Sequence, residues 1–502
     1  MQEAVSLPRD LSEAHQLITE LKASLSHKDQ LIAQLLHQLK QLQRHRFGAR
    51  SERFNALQAE LFSALEALGV EDVSARLEVA TAEVAQAKRQ PVRKPLPERL
   101  PRKRLEYRLH EAACACELCG HALEKIGEEV SEQLEYVPAS VFVLSHVRFK
   151  YACKHCQGQV VTAPKPAQPI DKGLAGPGLL AHVLTSKYCD HIPLHRQRGM
   201  LRRHGVELPQ TTLVDWVRQC AEALAPLVEA LRAEVLKSPK IHTDDTPVPV
   251  LERGRRKTRQ GRLWVYIGAG EHPCTVYDYT PTRARDGPMA FLAGYRGYLQ
   301  ADAYAGYDEV YAGGEVTEVA CWAHARRKFF DAQSSDEVHA KAALEFIGAL
   351  YGIEREGQDL KPEGLACLRQ QKAAPILTAF HTWLNNTARV ALPKSPMGQA
   401  IQYALNQWTA LNRYPQDGRL SIDNNVAERA IRPLVVGRKN WVFAGSDAGG
   451  ERAAVIYSLI ETCKQHHLDP FAYLADVLKR LPTTLYRELD TLLPWHWAPQ
   501  AT

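Results

Sequence analysis

The sequence has no long apolar run. No stretch approaches the ~20 consecutive apolar residues that a transmembrane helix needs, and the opening segment MQEAVSLPRDLSEAH lacks the basic-then-apolar pattern of a secretory signal. We therefore expect a cytoplasmic protein without a membrane span. A strong charge bias is also missing, because the net charge is only +6 over 502 residues. The distribution of basic residues should therefore say more about binding than their total.

Cysteine is scarce outside one short window. Of the eleven cysteines, five fall between 114 and 156 and the others are scattered singly, a distribution that argues against a disulfide framework. Two C-x-x-C pairs, CELC and CKHC, can bring four thiolates onto one Zn²⁺ ion. A module with so little core needs its metal to fold. We therefore expect one structural zinc in a module at 107–166, held by Cys116, Cys119, Cys153 and Cys156.

A heptad pattern of apolar residues runs from Leu11 to Leu42. One seam position is leucine or isoleucine in every heptad, and the other is apolar except at Lys28. A seam of this length predicts a coiled coil between two chains, within a leucine-rich helical region at 1–85. The alternative is an amphipathic helix that folds back on its own protein.

A basic, proline-rich linker is predicted at 86–106. Its central stretch KRQPVRKPLPERLPRKR has eight Lys or Arg and four prolines. Proline at this density blocks helix and central strand, so the segment should be an extended tether. Such a tether can lie along DNA phosphates, or it can serve only as a soluble linker.

Two helical patterns flank His204-Gly205-Val206 in a region that we assign to 170–235. Gly205 can supply the turn, and a threonine can cap the second helix. The pattern indicates a helix-turn-helix, whose first helix would contact the DNA backbone and whose second would enter the major groove. The residues expected at DNA are Arg196, Arg198, Arg202, Arg203, Thr211 and Thr212, with Thr211 or Thr212 as the cap. Helical hairpins that bind nothing share this pattern.

Two adjacent carboxylates, Asp244 and Asp245, follow an apolar run in KIHTDDTPVPVL, residues 240–251. Two prolines come next, so the sequence predicts that a buried strand ends here. Neighbouring residues on a strand point to opposite faces, so only one of the pair can join a site.

The segments that follow predict an α/β core. RLWVYIGAG and CTVYDYT are typical of strands, GYLQADAYAGY of a strand that ends in Asp302, and EVACWAHARRKFFDA of a strand that becomes a helix. Three antiparallel strands, a fourth strand and helices after it are the pattern of a ribonuclease-H-like core. Asp244 and Asp302 would then face each other on neighbouring strands, where a cation between them relieves their repulsion. The alternative role for Asp302 is capping of a following helix.

A third carboxylate is available in LSIDNNVAERAIRPLVVGRKNWVFAGSDAGGERAA, residues 420–454. Glu428 and Glu451 compete for this position. Both fall at the start of helical stretches, where the helix dipole favours a carboxylate in any case, and Asn425 with Glu428 also fits a capping box. The basic residues around Glu428 favour phosphate contact and are Arg429, Arg432, Arg438 and Lys439.

Several long stretches resemble the bacterial insertion sequence 66 transposases, a DDE-type family. They are HTDDTPVPVL, GRLWVY, GYLQADAYAGY, EVACWAHARRKFF, IDNNVAERAIRP and GRKNWVFAGSDAGGERAAVIYSLIET, and the similarity extends to DPFAYLADVLKRLP near the C-terminus. The resemblance implies that Asp244, Asp302 and Glu428 are the catalytic carboxylates. The family commonly has Glu where this chain has Asp245, and that conservative departure supports Asp244 as the catalytic member.

The expected fold class is therefore multidomain α/β, with a ribonuclease-H-like catalytic core. The coiled coil, linker, zinc module and helix-turn-helix precede the core. The resemblance also implies a helical insertion, so the core divides into 236–332 and 420–465 around an insertion at 333–419. A C-terminal helical region should follow at 466–502.

A carboxylate site of this kind suits DNA strand cleavage and strand transfer. Two Mg²⁺ or Mn²⁺ ions would activate the attacking hydroxyl and neutralise the leaving oxygen. Expected partners are DNA, as element ends and as target, and a second copy of the chain in a homo-oligomer. From the resemblance, companion proteins of the same element are further partners, and the site of action is the nucleoid of a bacterial cytoplasm.

His324 in CWAHARRKFF is placed to contact a DNA phosphate, since it opens a helix just after the strand beside Asp302. A helix-capping or core histidine is the alternative.

Two other functions compete with transposition. In the first, the protein is a sequence-specific DNA-binding regulator with an inactive ribonuclease-H-like scaffold. In the second, it is a nuclease that acts on RNA or branched DNA without strand transfer. Carboxylates at all three positions argue against the regulator, and the N-terminal DNA-binding modules argue against the nuclease.

Overall fold

The structure is a computed structural model. It describes residues 141–152, 160–162, 167–171, 173–252, 254, 257–271 and 273–499. The predicted coiled coil, the basic linker and the four zinc-ligand candidates lie outside these residues. Within them, no helix combines the length and the apolar character needed to cross a bilayer.

Five strands form a mixed sheet with the order β5-β4-β3-β6-β7. β3, β4 and β5 are antiparallel neighbours, whereas β6 and β7 run parallel to β3. A separate antiparallel pair, β1 and β2, precedes the sheet in the chain. The strands are β1 Lys150–Ala152, β2 Val160–Thr162, β3 Lys240–Val250, β4 Arg259–Ala269, β5 Cys274–Thr280, β6 Gly297–Gln300 and β7 Val316–Val319.

Helices make up most of the remainder. The α-helices are α1 Pro177–Tyr188, α2 Leu194–Arg203, α3 Gln210–Lys237, α4 Asp286–Phe291, α5 Asp308–Ala312, α6 Trp322–Ala332, α7 Glu337–Glu356, α8 Pro362–Ala388, α9 Pro396–Asn406, α10 Trp408–Leu411, α11 Asn425–Trp441, α12 Asp447–Gln465 and α13 Pro470–Arg480. Short 3₁₀ helices occur at Ala305–Tyr307, Tyr414–Gln416, Leu481–Thr483 and Tyr486–Leu492.

The adjacent carboxylates Asp244 and Asp245 lie in the middle of β3, so the prediction that the strand ends there was wrong. β3 continues through Pro247 and Pro249, which stay in register opposite β4. Proline is tolerated because β6 pairs with only the first three residues of β3. Beyond them, among the described residues, no strand lies on that edge of β3 to require a proline N–H.

The open edge of β3 is covered by α11 and the segments on either side of it. The Asn424 side-chain amide donates to the Thr243 carbonyl at 2.8 Å. Further along, the Ala444 N–H and the Arg438 guanidinium donate to the carbonyls of the two prolines. These bonds satisfy strand carbonyls that no ladder partner reaches, and they bring the start of α11 beside Asp244.

The helix pair α2 and α3 differs from the predicted helix-turn-helix in length and capping. Gly205 has φ +78° and forms the turn, as predicted. However, α3 is 28 residues long and packs against β4 and β5 as part of the main core. Its N-cap is Pro209 and no side chain caps it, so Thr211 and Thr212 lie within its first turn.

The region between α6 and α11 is helical and has its own apolar core. Leu350, Phe380 and Ile401, on three different helices, are buried in this core together with Trp322 of α6. A second, larger core lies around the sheet and contains residues of α1, α3, α12 and α13. The range 333–419, where a helical insertion was predicted, contains helices α7 to α10.

Candidate functional site

The Asp244 carboxyl group has no cationic partner among the described residues. Its Oδ1 accepts a hydrogen bond from the Asp245 N–H at 2.7 Å, and no Lys or Arg in the described part of the chain forms an ion pair with it. Burial raises the pKa of Asp244 to about 7, with further contributions from the charges of Asp302, Asp245 and Glu428. Such a group favours a bound cation, because a positive charge relieves both the burial and the repulsion.

The raised pKa of Asp244 makes the protein less stable as pH rises. The folded carboxyl holds its proton until about pH 7, whereas the unfolded chain releases it near 3.8. The free energy of unfolding should therefore fall by roughly 1 kcal/mol between pH 6 and pH 8 in the absence of divalent cations. Asp244→Asn should remove this part of the pH dependence in urea denaturation. The exposed control Asp286→Asn should keep it, and an unchanged dependence in Asp244→Asn would contradict the assignment.

Asp245 is neutralised by two arginines. Its carboxylate, with a side chain only 3% exposed, accepts from Arg262 at 2.8 Å and from Arg283 at 2.8 and 3.0 Å. The two adjacent aspartates thus have different surroundings, as strand alternation predicts. Asp245 has the partners of a structural carboxylate, and Asp244 does not.

Asp302 lies beside Asp244 because of the parallel register of β3 and β6. The ladder ends at the pair His242 and Gln300, so Asp244 and Asp302 each lie two residues beyond it. Burial raises the pKa of Asp302, while Arg283, 3.6 Å away, opposes the shift. The alternative of helix capping is not observed, because the N-cap of the following 3₁₀ helix is Tyr304.

Glu428 lies in the first turns of α11, with its side chain 43% exposed. Its Oε1 is 3.7 Å from Nε2 of His324. The negative charge of Glu428 contributes to the raised pKa of Asp244. The capping box does not form, since the N-cap of α11 is Asn424 and no side chain caps the helix. The exposed carboxylate of Glu428 is therefore not used for capping.

Asn424 holds the start of α11 against the sheet, a role that the sequence analysis missed. Its fully buried side chain bonds to Nδ1 of His242 at 2.9 Å and donates to the Thr243 carbonyl, while its N–H donates to Sγ of Cys321 at 3.1 Å. Because the amide nitrogen donates to Thr243, the amide oxygen accepts from His242. Burial lowers the pKa of His242 to about 4, so this imidazole is neutral at pH 7.

His324 lies in the first turn of α6, close to two of the three carboxylates. Its Nε2 is 3.7 Å from Glu428. When the imidazole is protonated, its positive charge lowers the pKa of Asp302. Its Nδ1 is buried and has no hydrogen-bond partner among the described residues. The N-cap of α6 is Cys321, so His324 is not a capping residue.

Glu451, the competing third carboxylate, lies away from this group. It is exposed on α12, and its negative charge contributes to the raised pKa of Asp278 in β5. α12 covers the β5 edge of the sheet through Ser458 and Thr462, which accept from strand N–H groups at 2.8 and 3.1 Å. The structure thus brings together Asp244, Asp302 and Glu428 around the central strands β3 and β6, and leaves Glu451 near the edge strand β5.

The cations predicted at DNA fall into two groups. On α2, the four arginines Arg196, Arg198, Arg202 and Arg203 are exposed, as is Thr211, while Thr212 is half-buried. On α11, Arg429, Arg432 and Lys439 are exposed. Arg438 differs from the prediction, because its guanidinium donates to the Pro247 carbonyl and to the Thr246 hydroxyl at 3.3 Å.

The three carboxylates fit a divalent cation by donor type, since Mg²⁺ and Mn²⁺ prefer oxygen ligands. Across the described residues, however, no three His, Cys, Asp or Glu side chains lie close enough to share one metal ion. Coordination by all three would therefore require side-chain movement. The partly exposed Glu428 has the most room for it.

Comparison with known families gives matches along most of the chain. The model described as transposase IS66 family matches residues 172–452, which include all three carboxylates. The zinc-finger binding domain of transposase IS66 matches 113–157, the IS66 C-terminal element 458–495, and the model described as transposase C of IS166 homeodomain 34–105.

Full-length relatives occur in Sinorhizobium fredii (strain NBRC 101917 / NGR234). Uncharacterized protein y4hP is 34% identical over 489 residues, which are 91% of this chain and 88% of the relative. Uncharacterized protein y4jD is 33% identical over 515 residues, covering 98% and 97%. The family match extends over more than half of the chain and the relatives span nearly all of it, so this chain belongs to the IS66 transposase family.

Proposed function

We propose that this transposase cleaves DNA at the ends of its element and joins the freed 3′-hydroxyl to target DNA, with Asp244, Asp302 and Glu428 as catalytic residues. The observation that carries the proposal is the partly buried carboxyl of Asp244, which has no cationic partner among the described residues and whose pKa is raised mainly by burial and further by the charges of Asp302 and Glu428 on separate elements. Perturbed carboxylates that converge without a structural partner are typical of active sites.

The sheet supports a ribonuclease-H-like fold for the catalytic core. Its antiparallel strands β3 to β5, followed by β6 and β7 parallel to β3, agree with the strand pattern inferred from the sequence. We propose that α7 to α10 are an insertion into this core.

We propose that Asp244, Asp302 and Glu428 hold two Mg²⁺ or Mn²⁺ ions. Bound ions would supply Lewis-acid activation of a water or 3′-hydroxyl and stabilisation of the leaving oxygen. The protein positions the three carboxylates. The parallel register of β3 and β6 places the two aspartates side by side, and Asn424 fixes the helix that carries the glutamate. Arg283 keeps Asp245 neutralised beside the site.

We propose that His324 contacts a DNA phosphate through Nε2. His324→Ala should reduce strand cleavage roughly ten- to a hundredfold, the loss expected for one hydrogen bond to a charged group. The melting temperature should change little, because Nδ1 has no hydrogen-bond partner among the described residues and the 3.7 Å approach of Nε2 to Glu428 is partly exposed to solvent. Cleavage rates and thermal unfolding of the same preparations test this, and parallel losses of both would assign His324 a structural role.

We propose that Cys116, Cys119, Cys153 and Cys156 bind one structural Zn²⁺, in the segment that matches the family's zinc-finger domain. Metal analysis of the purified protein should return about one zinc per chain. Replacing Cys116 and Cys153 by serine should abolish the zinc content. Full zinc retention in that variant would rule the assignment out.

We further propose that the protein acts on chromosomal DNA in a bacterial cytoplasm as a homo-oligomer joined through residues 1–85. Sedimentation tests the association, since Leu25→Asp with Leu35→Asp should yield monomers. Companion proteins of the same element remain further expected partners. The cations of α2 and α11 would contact the phosphates of the ends and the target.

A further inference from the structure

One side of α11 is a row of exposed residues that begins at Glu428 and runs to the end of the helix. Arg429, Arg432, Val436 and Lys439 are all exposed, and their spacing of three and four residues places them on one side of the helix. At about 1.5 Å per residue, the row spans roughly 15 Å. The cations of this row therefore extend from the proposed active site along a single line.

Two exposed apolar residues follow the row, at the C-terminal end of α11. Val442 is 59% exposed and Phe443 is 41% exposed. Val442 has φ +64° and ψ −48°, in a tight turn closed by a 2.7 Å bond from the Phe443 N–H to the Trp441 carbonyl, and this positive-φ backbone is strained for a β-branched residue. The chain thus bears a conformational cost to turn these two side chains outward, where water contact costs further free energy.

This apolar tip, Val442 and Phe443, is fixed on both sides. Before it, the Val442 N–H donates to the Arg438 carbonyl at 2.8 Å, and Arg438 itself is bonded to β3. After it, Ala444 forms a bridge with Val250 at the end of β3, with backbone bonds of 2.8 and 2.9 Å. The tip is therefore held on the sheet rather than on a free loop.

We propose that the apolar tip is a wedge that inserts between base pairs of the element-end DNA whose backbone lies along the cation row. Proteins unstack DNA with apolar side chains flanked by cations, and stacking on an aromatic ring compensates for lost base stacking. The cations favour DNA over a protein partner as the occupant. This inference rests on the proposed DNA transposase function.

The geometry also predicts where the DNA is distorted. From Glu428 to Trp441, where α11 ends just before the tip, the helix advances 13 positions, or about 20 Å. At 3.4 Å per base pair, the wedge enters roughly six base pairs from the scissile phosphate. The unstacked step should occur at that distance and not at the cleavage position.

The test uses the full-length protein and a duplex with the element's end sequence, identified from the terminal inverted repeats that flank the gene. 2-Aminopurine replaces one base at a time along the duplex. Wild type should increase its fluorescence severalfold about six base pairs from the cleavage position. Phe443→Ala should lose this increase, whereas Phe471→Ala, at a phenylalanine with 42% exposure on α13, should keep it.

The cation row has its own readout. Replacing Arg432 and Lys439 by glutamine should reduce the slope of log binding constant against log salt concentration by nearly two, because each lost phosphate contact removes about 0.9. The same changes at Lys361 and Lys394, two exposed lysines near α8 and α9, should leave the slope unchanged.

The outcomes separate this inference from the proposed function. Equal fluorescence in Phe443→Ala and wild type would overturn the wedge, even if cleavage is confirmed. A fluorescence change that depends on Phe443 without any cleavage would keep the wedge and refute the enzymatic proposal. If Phe443→Ala alters sedimentation but not DNA fluorescence, the tip is a protein contact and the wedge is refuted.

Discussion

Replacing Glu428 by glutamine is expected to reduce Mg²⁺-dependent cleavage and joining of element-end DNA to background. Glutamine keeps the size and hydrogen-bonding reach of the side chain but removes the charge that a metal ligand needs. Binding of the end duplex should remain, because Glu428 is exposed and caps no helix. Cleavage on a sequencing gel and binding by fluorescence anisotropy measure the two effects separately.

Glu451→Gln is the matched control for this prediction. Glu451 also lies in the first turns of a helix, but α12 places it near Asp278 of the edge strand β5, away from Asp244 on the central strand β3. The variant should therefore keep measurable cleavage and joining. The reverse pattern, with activity lost at Glu451 and kept at Glu428, would move the third carboxylate to α12.

Replacing Arg369 by alanine is expected to destabilise the helical insertion by about 3–5 kcal/mol. The guanidinium is almost fully buried between α7 and α8. It forms two bonds to Glu354, at 2.6 and 2.8 Å, and donates to the carbonyls of Tyr414 and Asp417 at 2.9 and 3.2 Å. Alanine leaves the Glu354 charge and two carbonyls without this donor. Urea denaturation followed by tryptophan fluorescence should report the loss, since Trp322 lies in the insertion core.

Lys372 provides the control, one turn further along α8. Its ion pair with Glu356 is half-exposed on both sides, so Lys372→Ala should cost less than about 1 kcal/mol. A double replacement of Arg369 and Glu354 should cost less than the sum of the single changes, because neither charge is then left alone. A loss below 1 kcal/mol in Arg369→Ala would mean that the buried pair does not hold the insertion together.

The helical insertion also contacts the segment just before α11, the helix that carries Glu428. The Tyr351 hydroxyl of α7 donates to Asp423 at 2.9 Å, and Asp423 accepts from the N–H of Asn425 at the start of α11. Stability of the insertion and placement of Glu428 are thus connected through three residues. Arg369→Ala should consequently lower cleavage as well as stability.

Much of the sheet could be predicted from local patterns. Strand-like apolar runs identified β4 and β5 close to their observed bounds, and the strand before Asp302 corresponds to β6. These strands could be predicted because the apolar pattern of a strand lies within a few consecutive residues. The neighbourhood of Asp244 and Asp302 followed from placing their strands side by side.

The errors arose where a residue's environment comes from distant parts of the chain. Pro247 and Pro249 indicated a strand end, yet β3 continues because its open edge is covered by residues some 200 positions later, among them Arg438 and Ala444. The same contacts occupy Arg438, which the sequence analysis assigned to phosphate. No local pattern reveals such pairings.

At the site, too, local patterns predicted some features and distant contacts determined the others. The adjacent aspartates Asp244 and Asp245 indicated a functional site. Because neighbouring strand residues point to opposite faces, only one of the two could belong to that site. Which one depends on Arg262 and Arg283, which neutralise Asp245 and lie 17 and 38 positions away in the sequence. Asn424 was likewise hidden, because an asparagine before a helix is most often a cap, whereas this one bonds to β3.

We propose above all that three carboxylates make this chain a DNA strand-transfer enzyme. A strand-transfer assay with labelled element-end duplex, supercoiled plasmid and Mg²⁺ tests it most directly, with Asp302→Asn as the inactive control. We predict nicking at the element end and covalent joining of that end to the plasmid by wild type, both absent in the variant and in EDTA. Specific binding without cleavage would contradict the claim in favour of a regulator, and cleavage without joining would contradict it in favour of a nuclease.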